Sequence, residues 1–480
     1  MTINHKSTDN NHTTAQDDDD RPGHHHHHHH HHSGHDPIIF KLGNLVTFKL
    51  SQLKYFTFTM IGIALLWPWN CFLSASEYYA ERFLNTPSLI KVYSSTMMSV
   101  STITSMVYNF YLSQTQSNVN YNYRVNTGLS ITIGIFLIMA FSCISDWFIK
   151  MNDTAFFTIL MFMVLLSAMA TCLAQNGTMA IVNVMGGIYA NAVMVGQAVA
   201  GVLPATALII SVLTLGDKTV TPQEYIEKNF GVFAYYITAS LVSICSILLL
   251  YWTSYHKNEI AYETLNRLME EGSAQAEAEE SESIDDDEYI EPIHKQKKYV
   301  SFALLWSKLN YIVMTIFLTF SITLIFPVFA ATVESTHTNS NFKLFHKSIF
   351  IPFIYLVWNM GDLLGRILCG YPTLKMLIKD PKVLIVYSIS RLIFIPLFLT
   401  CNVHPKNARA LINSDLWYIT LQFLFGLSNG QLCTSSFMII GEYCDNDDEK
   451  EAAGGFSVVF LSVGLAFGSI FSYLLVLFIA

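Results

Sequence analysis

The 480 residues are 52% hydrophobic and only 13% charged, with a mean hydropathy of +0.38, whereas a soluble domain carries about 25% charged residues. That balance excludes an ordinary soluble enzyme and indicates a polytopic membrane protein. The formal net charge of -9 does not imply a basic partner, because the acids concentrate in the N-terminal tail and two loops, which are solvated segments. No nucleic-acid partner is expected.

Residues 1–50 read as a disordered cytoplasmic tail. They carry NNHTTAQDDDDRPG, the nine histidines His24 to His32, and SGHDP, too little apolar surface to fold. The histidine run reads as a tag or homopolymer tract rather than a metal site. No secretory signal precedes the first span, which is therefore expected to direct insertion itself.

A helix crosses a bilayer with about 20 apolar residues. By that ruler eleven spans fall near 52–76, 88–113, 125–149, 154–182, 185–214, 229–254, 302–332, 347–371, 381–403, 412–440 and 452–479. The fourth and fifth are separated only by the glycines of VNVMGG, which predicts a very tight turn. Between the sixth and seventh, residues 255–300 form an acidic, serine-containing stretch that reads as a disordered cytoplasmic linker. The domains expected are a six-helix bundle over 51–254 and a five-helix bundle over 301–480. Lysine and arginine counts favour the tail-and-linker side modestly, which places it in the cytoplasm. The eight cysteines are scattered without CxxC spacing and read as small core residues.

Polar residues inside spans carry the functional signal, since a charge at bilayer depth costs several kcal/mol unless it faces a protein interior or a watery cavity. In the first span Pro68 frees backbone carbonyls, with Asn70 beside it as an amide needing an interior partner. Trp69 sits deep enough to offer a flat stacking surface. The fourth and fifth spans hold Gln175, Asn176, Asn183, Asn191 and Gln197. Such amides either join helices or read the hydrogen-bonding edge of a heterocycle, and Gln175 is the strongest candidate for the second role.

The eighth span, YLVWNMGDLLGRILCG from Tyr355 to Gly370, places Tyr355, Asn359, Asp362 and Arg366 at +4, +3 and +4, one polar stripe along one helix face. Gly361 and Gly365 on an adjacent face allow close approach of a neighbouring helix. A structural ion pair locking two helices is the alternative to a binding site. Arg391, in the ninth span, is expected to snorkel to the cytoplasmic side or to pair with an acid. In the last span Gly464 and Gly468 form another close-packing pair.

LLWPWNCFLSA, VMVGQAVAGVLPA, WNMGDLLGR, GLSNG and DDEKEAAGGF followed by GLAFGSIFS, in this order and spacing, resemble the equilibrative nucleoside transporters, especially fungal members of the vacuolar type. The likeness covers residues 50 to 480. It implies an all-α, major-facilitator-like fold of eleven transmembrane helices in a 6+5 arrangement around a central cavity. It also implies transport of nucleosides such as uridine and adenosine and, in some members, nucleobases. By motif, Trp69 lies against the base, Gln175 contacts it, and Asp362 and Arg366 engage the ribose. Tyr355 and Asn359 line the same cavity, and Leu465 supplies an apolar wall. Leu73 stands where members of the family can carry methionine, a departure that alters the shape offered to inhibitors and larger bases.

A nucleoside suits these residues on chemical grounds as well. Its base is flat, and an ionised acceptor holds hydroxyls more strongly than a neutral one. One acid and one base favour a neutral solute over a nucleotide. No GxxxxGK[ST] motif appears, so direct ATP coupling is not expected, and neither is any enzyme activity or cofactor. The expected mechanism is alternating access by facilitated diffusion of a monomer in a vacuolar or other internal membrane. Proton symport, or carriage of another small polar solute, is the alternative.

Overall fold

A computed structural model describes residues 36–215, 228–279, 298–337, 341–403 and 410–479. The expectations for residues 1–35, including the histidine run, and for 280–297 of the linker lie outside the described residues.

The chain enters through a hairpin, β1 (Ile38–Leu42) and β2 (Val46–Lys49), paired antiparallel across a turn where Gly43 adopts φ +59°. The tail expected to be disordered is therefore ordered over its last dozen residues. The β-branched and aromatic residues of IIFKL and VTFK favour strands, and VTFK alternates apolar with polar. After the hairpin come α1 (Leu50–Ser74), α2 (Ser76–Arg82), α3 (Pro87–Ile90), α4 (Tyr93–Gln114), α5 (Tyr121–Ile144), α6 (Asp146–Ile149), α7 (Asp153–Met185), α8 (Gly187–Leu215) and α9 (Phe230–Glu279). The second half holds α10 (Phe302–Thr323), α11 (Ile325–Thr332), α12 (Lys347–Cys369), α13 (Pro381–Ser390), α14 (Phe394–Leu399), α15 (Asp415–Ile439) and α16 (Asp447–Ile479).

Among the described residues, ten helical segments are long and apolar enough to cross a membrane. The helix at the expected second span, α4, has the length, but its serines, threonines and tyrosines keep it outside that set. The turn between the fourth and fifth spans is the single residue Gly186, at φ +134°, a conformation that any Cβ would strain. The linker expected to be disordered from 255 is instead helical to Glu279, because ETLNRLMEE and AQAEAE are built of strong helix formers. The ninth span is broken into α13, a 3-10 turn at Arg391–Ile393, and α14.

Helix α1 packs on α8 and α9, α5 on α7 and α9, and α4 on α7; in the second half α10 packs on α16 and α12 on α15. The α12–α15 seam is glycine-lined from both sides. A Cβ on Gly361 or Gly365 would stand 2.5 Å from the carbonyl oxygens of Phe423 or Leu427, and Gly426 and Gly430 abut the backbones of Trp358 and Asp362. Gly464 and Gly468 lie as closely on Phe317 and Ser321 of α10.

The halves meet where α8 packs on α12 and α15 and where α16 packs on α4 and α7. The buried apolar clusters show how. At the end where the chain enters, one cluster runs through both halves, from Phe58 and Val193 to Ile312, Leu432 and Phe456. At the opposite end the core is split: Trp67, Phe72, Phe136 and Tyr236 belong to a first-half cluster, and Phe326, Phe329, Phe350 and Tyr418 to a second-half one. Cross-half hydrogen bonds follow the shared core. Asn183 Nδ2 donates to Lys450 O (3.1 Å), Gln116 Nε2 to Val300 O (3.1 Å), and Asn109 Nδ2 to Ser462 Oγ (2.5 Å). The two bundles are thus sealed at the entry end and separately packed at the far end.

Candidate polar site at the junction of the two bundles

On α12 the stripe forms as its spacing dictates. Arg366 Nε donates to Asp362 Oδ1 at 3.1 Å, an i,i+4 ion pair whose side chains are 7% and 6% exposed. Asn429 Nδ2 on α15 donates to the same oxygen at 2.7 Å. The amide is oriented by Thr323, at the end of α10, whose hydroxyl donates to Asn429 Oδ1. With both donors on Oδ1, Asp362 Oδ2 receives no hydrogen bond from the described residues, and it is absent from the buried unpartnered atoms. It therefore keeps a small accessible surface.

Arg366 faces the other bundle. Its NH1 donates to Met194 O on α8 at 2.9 Å, and Asn191 Nδ2 donates to Arg366 O at 2.8 Å. Tyr55 Oη donates to Asn191 Oδ1 at 2.9 Å, so α1, α8 and α12 are linked at this level. About two helical turns further from the entry end, Asn359 Oδ1 lies 2.7 Å from where a Cβ on Gly201 would stand. Gln197 lies between these two ties on α8, is 5% exposed, and its Nε2 has no partner.

Asn359 Nδ2 donates to Tyr355 O (2.7 Å), and the half-buried Tyr355 ring stands edge-on to Phe326 at 4.9 Å, which itself stacks on Trp358 at 4.5 Å. Asn70 Nδ2 donates to Ala200 O at 2.7 Å. Pro204 leaves that carbonyl without its usual i+4 partner, so Asn70 repairs the α8 break. Trp69, next to it, is half-buried against the first-half core. Gln175 on α7 is half-buried and makes no hydrogen bond among the described residues, and Leu465 on α16 packs half-buried against the shared core. The structure thus gathers Tyr355, Asn359, Asp362 and Arg366 on α12, joins Asn70 to α8, and leaves Trp69, Gln175 and Leu465 on three other helices.

Asn429, Thr323 and the Met194 carbonyl are parts of this site that sequence reasoning misses. Asn429 stands within GLSNG, but nothing in its sequence neighbourhood shows which carboxylate it meets. Arg391 departs from expectation. It does not snorkel, and among the described residues it forms no ion pair with an acid; it is buried, donating to Ser428 Oγ (2.9 Å) and Phe425 O (3.2 Å), with its guanidinium 4.6 Å from the Phe425 ring centroid. The break at Arg391–Ile393 turns it inward. Seven of the eight cysteines are buried; Cys245 is exposed.

The sequence model described as "Nucleoside transporter" matches residues 160–477, which takes in α12, α15 and the cross-bundle ties to α8. The chain belongs to the nucleoside transporter family. Among relatives of this transporter, the nucleoside transporter FUN26 of Saccharomyces cerevisiae is 37% identical over 90% of this chain and 85% of its own length. The equilibrative nucleoside transporter 1 of Homo sapiens is 24% identical over 87% and 95%. The fold is major-facilitator-like. The proton:xylose symporter XylE superposes with a TM-score of 0.55 at 12% identity, covering 88% of each chain. A bacterial homologue of ferroportin in an outward-facing state superposes with a TM-score of 0.51 at 9% identity, covering 89% of this chain and 95% of its own.

Proposed function

We propose that this transporter carries nucleosides, uridine and adenosine among them, by facilitated diffusion through alternating access about the Asp362–Arg366 pair. One observation carries the reading: the pair stands where the shared core ends and the two separate cores begin. A solute arriving from the far end meets Asp362 Oδ2, the one oxygen its neighbours leave open, as acceptor for vicinal hydroxyls. The carboxylate supplies a charge-assisted bond, and Arg366 balances it, which favours a neutral cargo over a phosphorylated one. Trp69 and Gln175 are the residues we assign to the base, Leu465 to the wall, and Gln197 Nε2 is a further donor that a bound solute would satisfy.

In transport the bundles rock about the site. The bonds from Arg366 to Met194 O and from Asn183 to Lys450 O break when the entry end opens, while the two outer cores come together. We take the entry end as cytoplasmic, which makes this an outward-open state, with α4 as the eleventh span shielded by α7 and α16. We place the protein as a monomer in an internal, vacuole-type membrane, with nucleobases as secondary cargo. The test is flux of labelled uridine and adenosine in proteoliposomes, at two pH values and with sugars and amino acids as competitors. Saturable uptake insensitive to a proton gradient is expected; uptake that needs the gradient, or is abolished by sugars alone, overturns the reading.

A further inference from the structure

The β1–β2 hairpin has an amphipathic geometry that the transport site does not use. Its register pairs Phe40 with Phe48 and Leu42 with Val46, which places these four side chains on one face, and Lys41 with Thr47 on the other. Phe40, Leu42 and Val46 are each more than half exposed, and Leu45 at the tip is 95% exposed. A two-stranded hairpin is marginally stable in water by itself, and apolar faces left open in a folded chain mark surfaces that meet something else.

Its position points to what that is. No residue separates β2 from α1: Lys49 ends the strand and Leu50 begins the first spanning helix. The hairpin is pinned there by Leu50 N donating to Pro37 O (3.0 Å) and Ser51 Oγ donating to Asp36 Oδ2 (2.5 Å). Lys41 and Lys49 are exposed on the hairpin, and Lys257 on α9 lies near Lys54 in the first turns of α1. The apolar face thus stands directly at the start of the first spanning helix, with lysines nearby, where a bilayer would present headgroup phosphates. We propose that the hairpin is an interfacial anchor, its Phe40, Leu42, Val46 and Phe48 face and its Leu45 tip seated at the boundary between headgroups and acyl chains. It fixes the depth and tilt of α1, the helix that carries Trp69 and Asn70, against the bilayer.

The test uses the full-length protein with Cys245→Ser, which removes the exposed thiol found among the described residues. It is reconstituted in phosphatidylcholine vesicles with one nitroxide label at a time on cysteines replacing Phe40, Lys41, Leu42, Leu45, Val46 or Thr47. Power saturation compares oxygen with chromium oxalate as collider; nickel reagents are avoided because of the histidine run His24 to His32. Labels at 40, 42, 45 and 46 are expected to favour oxygen, and labels at 41 and 47 chromium oxalate. The label at 45 reads depth without touching the strand pairing, so it decides the matter even where another label disturbs the hairpin. Chromium oxalate reaching all six positions equally would overturn the proposal, as would labels at 40, 42 and 46 shielded from both colliders, the sign of a protein partner.

Discussion

Replacing Asp362 by asparagine removes a charge and almost no volume, and the geometry of its neighbours determines the consequence. Oδ1 already takes two donors, Arg366 Nε at 3.1 Å and Asn429 Nδ2 at 2.7 Å, so an asparagine must keep its oxygen there and present its NH2 where Oδ2 stood. A solute hydroxyl then meets a neutral donor instead of an ionised acceptor. Bonds to charged groups contribute about 1.5–3 kcal/mol against about 0.5–1.5 for neutral ones, a difference of about 1–2 kcal/mol, or roughly 5- to 30-fold in affinity. The variant also leaves the Arg366 guanidinium without its counter-ion, a change of about 3–5 kcal/mol for a fully buried pair, moderated here by the Met194 carbonyl. We therefore expect a fall in uridine transport of more than tenfold together with a lower melting temperature. Equilibrium uridine binding per folded molecule separates the two effects. If binding affinity is unchanged while only stability falls, the pair is a helix lock; if uptake and KM are both unaltered, the role given to Asp362 is wrong.

Further variants probe the same arrangement from other sides. Asn429→Leu removes the second donor on Oδ1 and should raise the KM for uridine about 3- to 10-fold, whereas a purely helix-packing role would leave KM alone and lower only the amount of folded protein. Gln197→Leu deletes a buried donor that has no partner; melting should hold or improve while uridine affinity falls, and a drop in stability with affinity intact would show the amide to be structural. Gly430→Ala drives a methyl into the backbone of Asp362, and overpacking of about 1–3 kcal/mol should appear as a lower melting temperature and loss of uptake together. Asn183→Ala removes the bond to Lys450 O. With about 1 kcal/mol less holding the entry end closed, buried Cys444 beside it should react with a membrane-impermeant maleimide about fivefold faster, and an unchanged rate would place the gate elsewhere.

The difference between what hydropathy reads and what contact geometry adds is visible residue by residue. Spans are legible because lipid imposes one rule on every spanning segment, that backbone groups bond internally while side chains are apolar. The stripe from Tyr355 to Arg366 is legible for the opposite reason, since it breaks that rule at helical spacing. Gly186 can be placed to within a residue or two because the interruption between α7 and α8 leaves room for nothing longer. The hairpin escapes because its strands are only five and four residues long and stand beside a histidine tract, and the extension of α9 escapes because acidity and helix propensity coexist in the same stretch.

Arg391 shows where one-dimensional reading stops. Position along a span gives depth, and depth suggests snorkelling, but a 3-10 turn rotates the side chain inward to carbonyls and to the Phe425 ring. The same limit applies to Asp362. Its sequence predicts a buried pair with Arg366, yet a pair alone has no handedness: exchanging the two residues would preserve it. The structure removes that freedom, because Met194 O can only accept and Asn429, turned by Thr323, can only donate to the carboxylate. An Asp362→Arg, Arg366→Asp exchange should therefore fail in uptake and in folding alike, an acid facing a carbonyl and a cation facing an amide donor. A helix clamp needs only the pair; here its polarity is set from three neighbouring helices, α8, α10 and α15, with one carboxylate oxygen left open, the arrangement that the proposed binding role requires.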